Sequence, residues 1–131
     1  MSESLQSVGA ITMFVEDHRR SKEFYEKVFD VTVVHEDDVS IAFKFDNTTV
    51  NLLELSEAPG LIGPARVATA DAGSRIQLTV WVEDTNAVCA QLTSLGVELL
   101  NGPIDRAWGL RTAAFADPDG HIWEVAGKIP D

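Results

Sequence analysis

One cysteine, Cys89, is too few for an internal disulfide, so whatever holds this 131-residue chain together is packing and hydrogen bonding. Cys89 falls within the helical pattern Val88, Cys89, Leu92, Leu95 and is expected to be a buried, inert thiol. Basic residues are also scarce. Ten Lys and Arg stand against 21 Asp and Glu, a net charge of −11, which repels phosphate backbones and anionic lipid and makes nucleic acid a poor partner. The same charge attracts small cations, although an acidic surface also serves solubility alone. No apolar run approaches the roughly 20 residues of a membrane span. The opening MSESLQS has neither a basic start nor an apolar stretch of signal length, so a cytoplasmic location is expected. A Gly-rich phosphate loop after a strand is missing, and no Cys-His or Ser-His-Asp spacing suggests a nucleophile, which disfavours nucleotide and acyl-transfer chemistry.

What the chain does have is a repeat. Val15-Glu16-Asp17 precedes SKEFYEKVFD, and Val82-Glu83-Asp84 precedes AVCAQLTSLG. In each copy a short apolar strand leads to an Asp suited to cap a helix, and strand-like runs follow. In the first copy these are Ile11 to Val15, a helix from Asp17 through Phe29 with Phe24, Tyr25 and Val28 as its apolar stripe, then Val31 to His35, Ser40 to Phe45 and Thr48 to Leu55. In the second they are Ile76 to Val82, a helix from Asp84 to about Leu95 ended by Gly96, then Val97 to Leu100, Leu110 to Ala116 and His121 to Val125. The pattern predicts an α+β fold of two β-α-β-β-β modules, about 9–55 and about 74–127. At this length they should share one core as a single domain over residues 1–131. Residues 56–73, rich in Gly, Pro and Ala, read as a linker or as a lid over a site.

The repeat also sorts the strand faces. Val15 and Val82 lie 67 positions apart, and at that offset Ile11, Met13 and Val15 match Leu78, Val80 and Val82, a uniformly apolar set expected under the helices together with Ile76. The opposite face then carries Ala10, Thr12 and Phe14 in one copy and Gln77, Thr79 and Trp81 in the other. For the last strands, matching the turns Asp46-Asn47 and Asp119-Gly120 gives an offset of 73, which puts Val50 and Leu52 with Trp123 and Val125 under the helices and Asn51 with Glu124 on the other face. An offset of 70 would match Glu54 with Glu124 but spoil the turns.

With these residues in view, ITMFVEDHRRSKEFYEKVFD, the second Val-Glu-Asp helix and FADPDGHIWEVAG resemble the vicinal oxygen chelate superfamily, the glyoxalase/bleomycin resistance/dioxygenase family. The resemblance runs from about residue 9 to residue 127. It implies paired modules whose curved, mostly antiparallel sheet surrounds a cavity, commonly in a homodimer. Metal-dependent members carry ligands at positions corresponding to Ala10, Asn51, Gln77 and Glu124. Of these, Glu124 is a hard oxygen ligand, Gln77 and Asn51 are neutral amides, and Ala10 has no donor, so the resemblance implies a depleted metal set. No cofactor is therefore expected, with a divalent metal as the alternative.

The candidate ligand-binding residues are Phe14, Asn51, Gln77, Trp81, Trp108, Arg111 and Glu124. Glu124 can neutralise a cation or act as a base, Gln77 and Asn51 can orient a ligand, and Phe14 and Trp81, with Leu53 and Ile122 nearby by parity, can form an apolar wall. Trp108-Gly109-Leu110-Arg111 resembles a Trp-Gly-x-Arg segment of bleomycin-resistance-type members, and Arg111 is a candidate partner for Glu124 or for an anionic ligand group. His18, His35 and His121 are read as structural. The expectation is a metal-independent protein that sequesters an aromatic or cationic small molecule, as in antibiotic resistance. The alternative is a metal-dependent lyase, isomerase or dioxygenase using Glu124 and Gln77. A dimer with an interaction role and no ligand is a third class.

Overall fold

A computed structural model describes residues 3–131; Met1 and Ser2 of the opening MSESLQS lie outside the described residues. The chain forms two compact units, the described residues up to Val67 and then Ala68–Asp131, so the boundary falls inside the stretch read as a linker.

In the first unit, β1 (Ala10–Val15) leads through α1 (His18–Val28) to β2 (Thr32–Glu36), β3 (Ser40–Lys44) and β4 (Thr49–Glu54). The strand order is β1-β4-β3-β2, with β4 parallel to β1 and the remaining pairs antiparallel. Helix α1 starts where predicted because Asp17 is extended and its Oδ1 accepts the Arg19 N–H at 3.0 Å. It packs on the sheet through Tyr25, which is fully buried and stacks on Phe29 and Phe43 at centroid distances of 5.4 and 5.8 Å. Met13, Val15, Ile41, Val50 and Leu52 complete that core.

Residues 56–73 are not featureless. A short helix, α2 (Ala58–Ile62), follows β4 with Ala58 buried, and a single 3₁₀ turn spans Ala70–Ala72.

The second unit repeats the order: β5 (Gln77–Trp81), α3 (Thr85–Ser94), β6 (Leu99–Asp105), β7 (Leu110–Ala116) and β8 (Ile122–Lys128), arranged β5-β8-β7-β6 with β8 parallel to β5. Asp84 caps α3 by accepting the Ala87 N–H. Here the sheet supplies the bulk of the core: Phe115 and Trp123 fill the space beneath the smaller Cys89 and Leu92 of α3. Cys89 is buried, and that burial pushes its thiol pKa up, against reactivity. The β-α-β-β-β reading therefore holds in both units.

Strand β6 is longer than expected. Gly102-Pro103 has the composition of a turn, yet the strand continues to Asp105, with one register shift before this pair, between Leu99 and Asn101, and one across it, between Asn101 and Ile104. β6 is an edge strand, where Pro is tolerated. Gly102 has φ +96°, and a Cβ there would lie 2.5 Å from the Thr112 carbonyl oxygen and 2.6 Å from the Ala113 Cα, so β6 and β7 approach too closely for any side chain.

The registers test the alignment of the copies. Thr12 lies across from Asn51 in the first unit, and Thr79 lies across from Glu124 in the second. The offsets of 67 and 73 are thus mutually consistent. Val50, Leu52, Trp123 and Val125 are all buried, as the face assignment requires, whereas Ile76, expected with them under the helices, precedes β5 and is exposed.

Candidate functional site

On the second unit's sheet, the face away from α3 is built from three strands. β5 presents Gln77, Thr79 and Trp81; β8 presents, directly across, Ile122, Glu124 and Ala126; β7 follows with Ala116, Ala114 and Thr112. Strand alternation explains the grouping, since residues opposite one another in a register share a face. The side chains around Glu124 are small, while Trp81 at the edge of the set is 72% exposed. Glu124 is half-buried, and its Oε1 accepts the Thr79 hydroxyl at 2.9 Å. Thr79 was absent from the candidate residues, although its offset-67 partner Thr12 and the face parity place it beside Glu124. This surface joins an anionic acceptor, a neutral amide and an indole, which suits an N–H-bearing or aromatic ligand.

In the first unit the corresponding face carries Ala10, Thr12 and Phe14 on β1, with Thr49, Asn51 and Leu53 across on β4. Phe14 and Asn51 are half-buried and Leu53 is buried.

Two candidates sit elsewhere. Arg111 lies across from Gly127 and Asp105, so it belongs to the face opposite Glu124. Its Nε donates to Asp105 Oδ1 at 2.6 Å and its Nη2 to Oδ2 at 3.2 Å, a two-point ion pair that lowers the Asp105 pKa and raises that of Arg111. The expected Arg111–Glu124 pairing is therefore corrected. Alternation separates the two residues, and the cross-strand carboxylate takes the guanidinium. Arg111 instead lines an open groove of about 340 Å³ at the start of α3, with Thr85, Lys128 and Ile129 among its neighbours. Trp108 lies in the β6–β7 hairpin loop, closed by Arg106 N–H to Leu110 O at 2.8 Å, and is exposed there rather than on the strand face.

A cluster around His18, which the sequence reading took as structural, lies in the first unit. His18 is 1% exposed. Its Nδ1 lies 2.6 Å from Glu54 Oε2 and its Nε2 lies 3.0 Å from the Asp37 carbonyl oxygen, while its main-chain N–H also reaches Glu54 Oε2 at 3.2 Å. The hydrogen bond from the His18 ring is the largest cause of the lowered Glu54 pKa. Asp37 orders the β2–β3 turn: its Oδ1 accepts from the N–H groups of Val39 and Ser40 and from the Ser40 hydroxyl, and His35 meets its other oxygen at 2.8 Å. Together these bonds hold the Asp37 carboxyl well below the usual range, with the His35 contact the largest cause. The signal for the cluster was present in the sequence: a His directly after a capping Asp, and a Glu at the end of the strand parallel to β1.

Two β-α-β-β-β units, each with a four-stranded mixed sheet, define an α+β protein of duplicated modules. A family model, the Glyoxalase/Bleomycin resistance protein/Dioxygenase superfamily, matches residues 7–125. The chain belongs to that superfamily. Its members bind small molecules, often use metals and often form dimers. Solved structures agree on the fold. A glyoxalase/bleomycin resistance protein/dioxygenase from Nocardioides shares 19% identity at a TM-score of 0.85, covering 98% of this chain and 87% of that one. A glyoxalase-related enzyme from Fulvimarina pelagi shares 24% at 0.81, covering 95% and 89%. Lactoylglutathione lyase from Agrobacterium tumefaciens shares 15% at 0.77, covering 95% and 96%.

The positions that the sequence resemblance implies for metal ligands carry few donors in either unit. The first unit offers a methyl group at Ala10 and one amide at Asn51. The second offers the Gln77 amide and the Glu124 carboxylate, which already accepts from Thr79. Within either unit this is too few donors for tight binding: the second unit's single carboxylate would leave a divalent ion mostly hydrated and loosely held.

Proposed function

We infer that the chain binds a small organic molecule, aromatic or cationic, on the β5–β8–β7 face without a metal at the positions the superfamily uses for one. The observation that carries this reading is the Thr79–Glu124 pair with Gln77 and Trp81 on the same face, set against the missing donor at Ala10. Glu124 supplies the charge complement to a cation. Trp81 supplies a ring for stacking or cation–π contact, and Gln77 orients a polar group. No helix among the described residues is long and apolar enough to cross a membrane. The reading places the chain in the cytoplasm as a single-domain homodimer, and its biological role in sequestration of a toxic compound such as an antibiotic.

Fluorescence titration with a panel of aromatic amines and their neutral analogues tests it, because Trp81 and Trp108 are both exposed. Saturable quenching by the amines, lost in Trp81→Ala and weakened in Glu124→Gln, is the expected result. Equal binding by both variants would refute it.

A further inference from the structure

His18 is held at both ring nitrogens. Its Nε2 lies 3.0 Å from the main-chain oxygen of Asp37, and its Nδ1 lies 2.6 Å from Glu54 Oε2. One ring nitrogen is thus fixed facing a carboxylate, the geometry in which a divalent metal can bridge the two.

The surroundings supply what the metal requires. Asp17 brings a second carboxylate, and the ligand atoms of Asp17, His18 and Glu54 all lie within 4.8 Å of one another. Main-chain N–H groups use one oxygen of each carboxylate, Asp17 Oδ1 from Arg19 and Glu54 Oε2 from His18. Asp17 Oδ2 and Glu54 Oε1 have no hydrogen-bond partner among the described residues. The histidine is buried and its far nitrogen is fixed on a carbonyl, the arrangement by which proteins aim an imidazole at a metal. Asp17 is exposed and Glu54 partly so, which leaves a route for entry.

We propose that Asp17, His18 and Glu54 bind one divalent transition metal, zinc or a neighbour of similar softness, with water completing the coordination. One nitrogen and two carboxylates give this set the anionic charge that the superfamily's metal positions lack here. Two ligands about 2.0–2.1 Å from one ion lie roughly 3.0–3.4 Å apart, so Glu54 withdraws from His18 by roughly 0.4–0.8 Å on binding. Its partly exposed position at the end of β4 permits that movement. The site is separate from the ligand face. Glu54 lies across from Val15 on the helix side of the sheet, whereas Asn51 lies across from Thr12 on the other side. The second unit does not repeat it, having Asp84, Thr85 and Gly127 at the matching positions.

The full chain, stripped with chelator and dialysed, is titrated with cobalt(II) by visible absorption, and zinc uptake is counted by elemental analysis. One equivalent per chain is expected. Glu54→Gln and Asp17→Asn should each weaken uptake at least about tenfold. Both keep hydrogen-bonding side chains, and Asn remains a good helix cap, so circular dichroism should confirm folded variants. Glu124→Gln should leave uptake unchanged. Absence of saturable uptake, or uptake indifferent to both Asp17→Asn and Glu54→Gln, overturns the proposal. Uptake abolished by Glu124→Gln would also overturn it, and would sink the metal-free reading of the ligand face with it. Failure of amine binding alone leaves this site standing.

Discussion

Replacing Gly127 with Ala adds a single methyl group, and the structure makes its cost calculable. A Cβ at Gly127 would lie 2.6 Å from the Val82 carbonyl oxygen and 2.9 Å from the Thr85 hydroxyl oxygen. Neither neighbour is free to swing away. Val82 continues the chain from β5 and its N–H donates to the Ala126 carbonyl, while Thr85 opens α3 and donates its hydroxyl to the Arg111 carbonyl at 2.8 Å. Relief requires either parting the end of β5 from β8 or breaking the Thr85 anchor. Overpacking of this kind costs about 1–3 kcal/mol, and losing the Thr85 bond adds about 1 kcal/mol. The total, roughly 2–4 kcal/mol, should lower the Tm by about 6–16 °C, taking roughly 3–4 °C per kcal/mol for a chain of this size. Urea unfolding at fixed pH, followed by tryptophan fluorescence, measures it directly. Gly9→Ala is the control, since nothing lies within 4 Å of its Cβ position. A Gly127→Ala loss below about 0.5 kcal/mol, the level of an ordinary surface change, would refute the close-packing argument.

Tyr25→Ala should destabilise by about 3–5 kcal/mol, because its buried ring stacks on Phe29 and Phe43; chemical denaturation checks it. Glu54 has a lowered pKa in the folded chain, so its contribution is fully present above the unfolded carboxylate value and lost as pH falls through the folded one. The stability gap between wild type and Glu54→Gln in chelator should therefore shrink on acidification, and a gap that widened would contradict the pairing. Thr79→Val should weaken amine binding several-fold while Thr79→Ser preserves it, because the hydroxyl orients the Glu124 carboxylate; titration calorimetry of the three proteins decides this.

The fold was largely legible because its signals are local and occur twice. Asp17 and Asp84 cap the helices, and apolar alternation marks β1, β4, β5 and β8 in registers that the repeat itself specifies. The end of β6 was not legible. Gly102-Pro103 carries the composition of a turn, and only the close approach of β7 explains a glycine within a strand. At the candidate site, parity grouped Gln77, Trp81 and Glu124 on one face from sequence alone. Arg111 misled because the resemblance of Trp108-Gly109-Leu110-Arg111 to a family segment does not say which face the arginine occupies, and Asp105 competes for it across the strand pair. The His18–Glu54 contact joins residues 36 positions apart through the parallel β1–β4 pairing, so reading it required carrying the helix start onto the neighbouring strand.

The central claim is that ligand binding on the β5–β8–β7 face needs Glu124 and Trp81 but no metal there. The direct measurement is amine binding by tryptophan quenching before and after exhaustive chelation, in wild type, Glu124→Gln and Trp81→Ala. Binding unchanged by chelator, lost in Trp81→Ala and weakened in Glu124→Gln is the predicted result. Binding abolished by chelator, restored by added metal and dependent on Glu124 would contradict it.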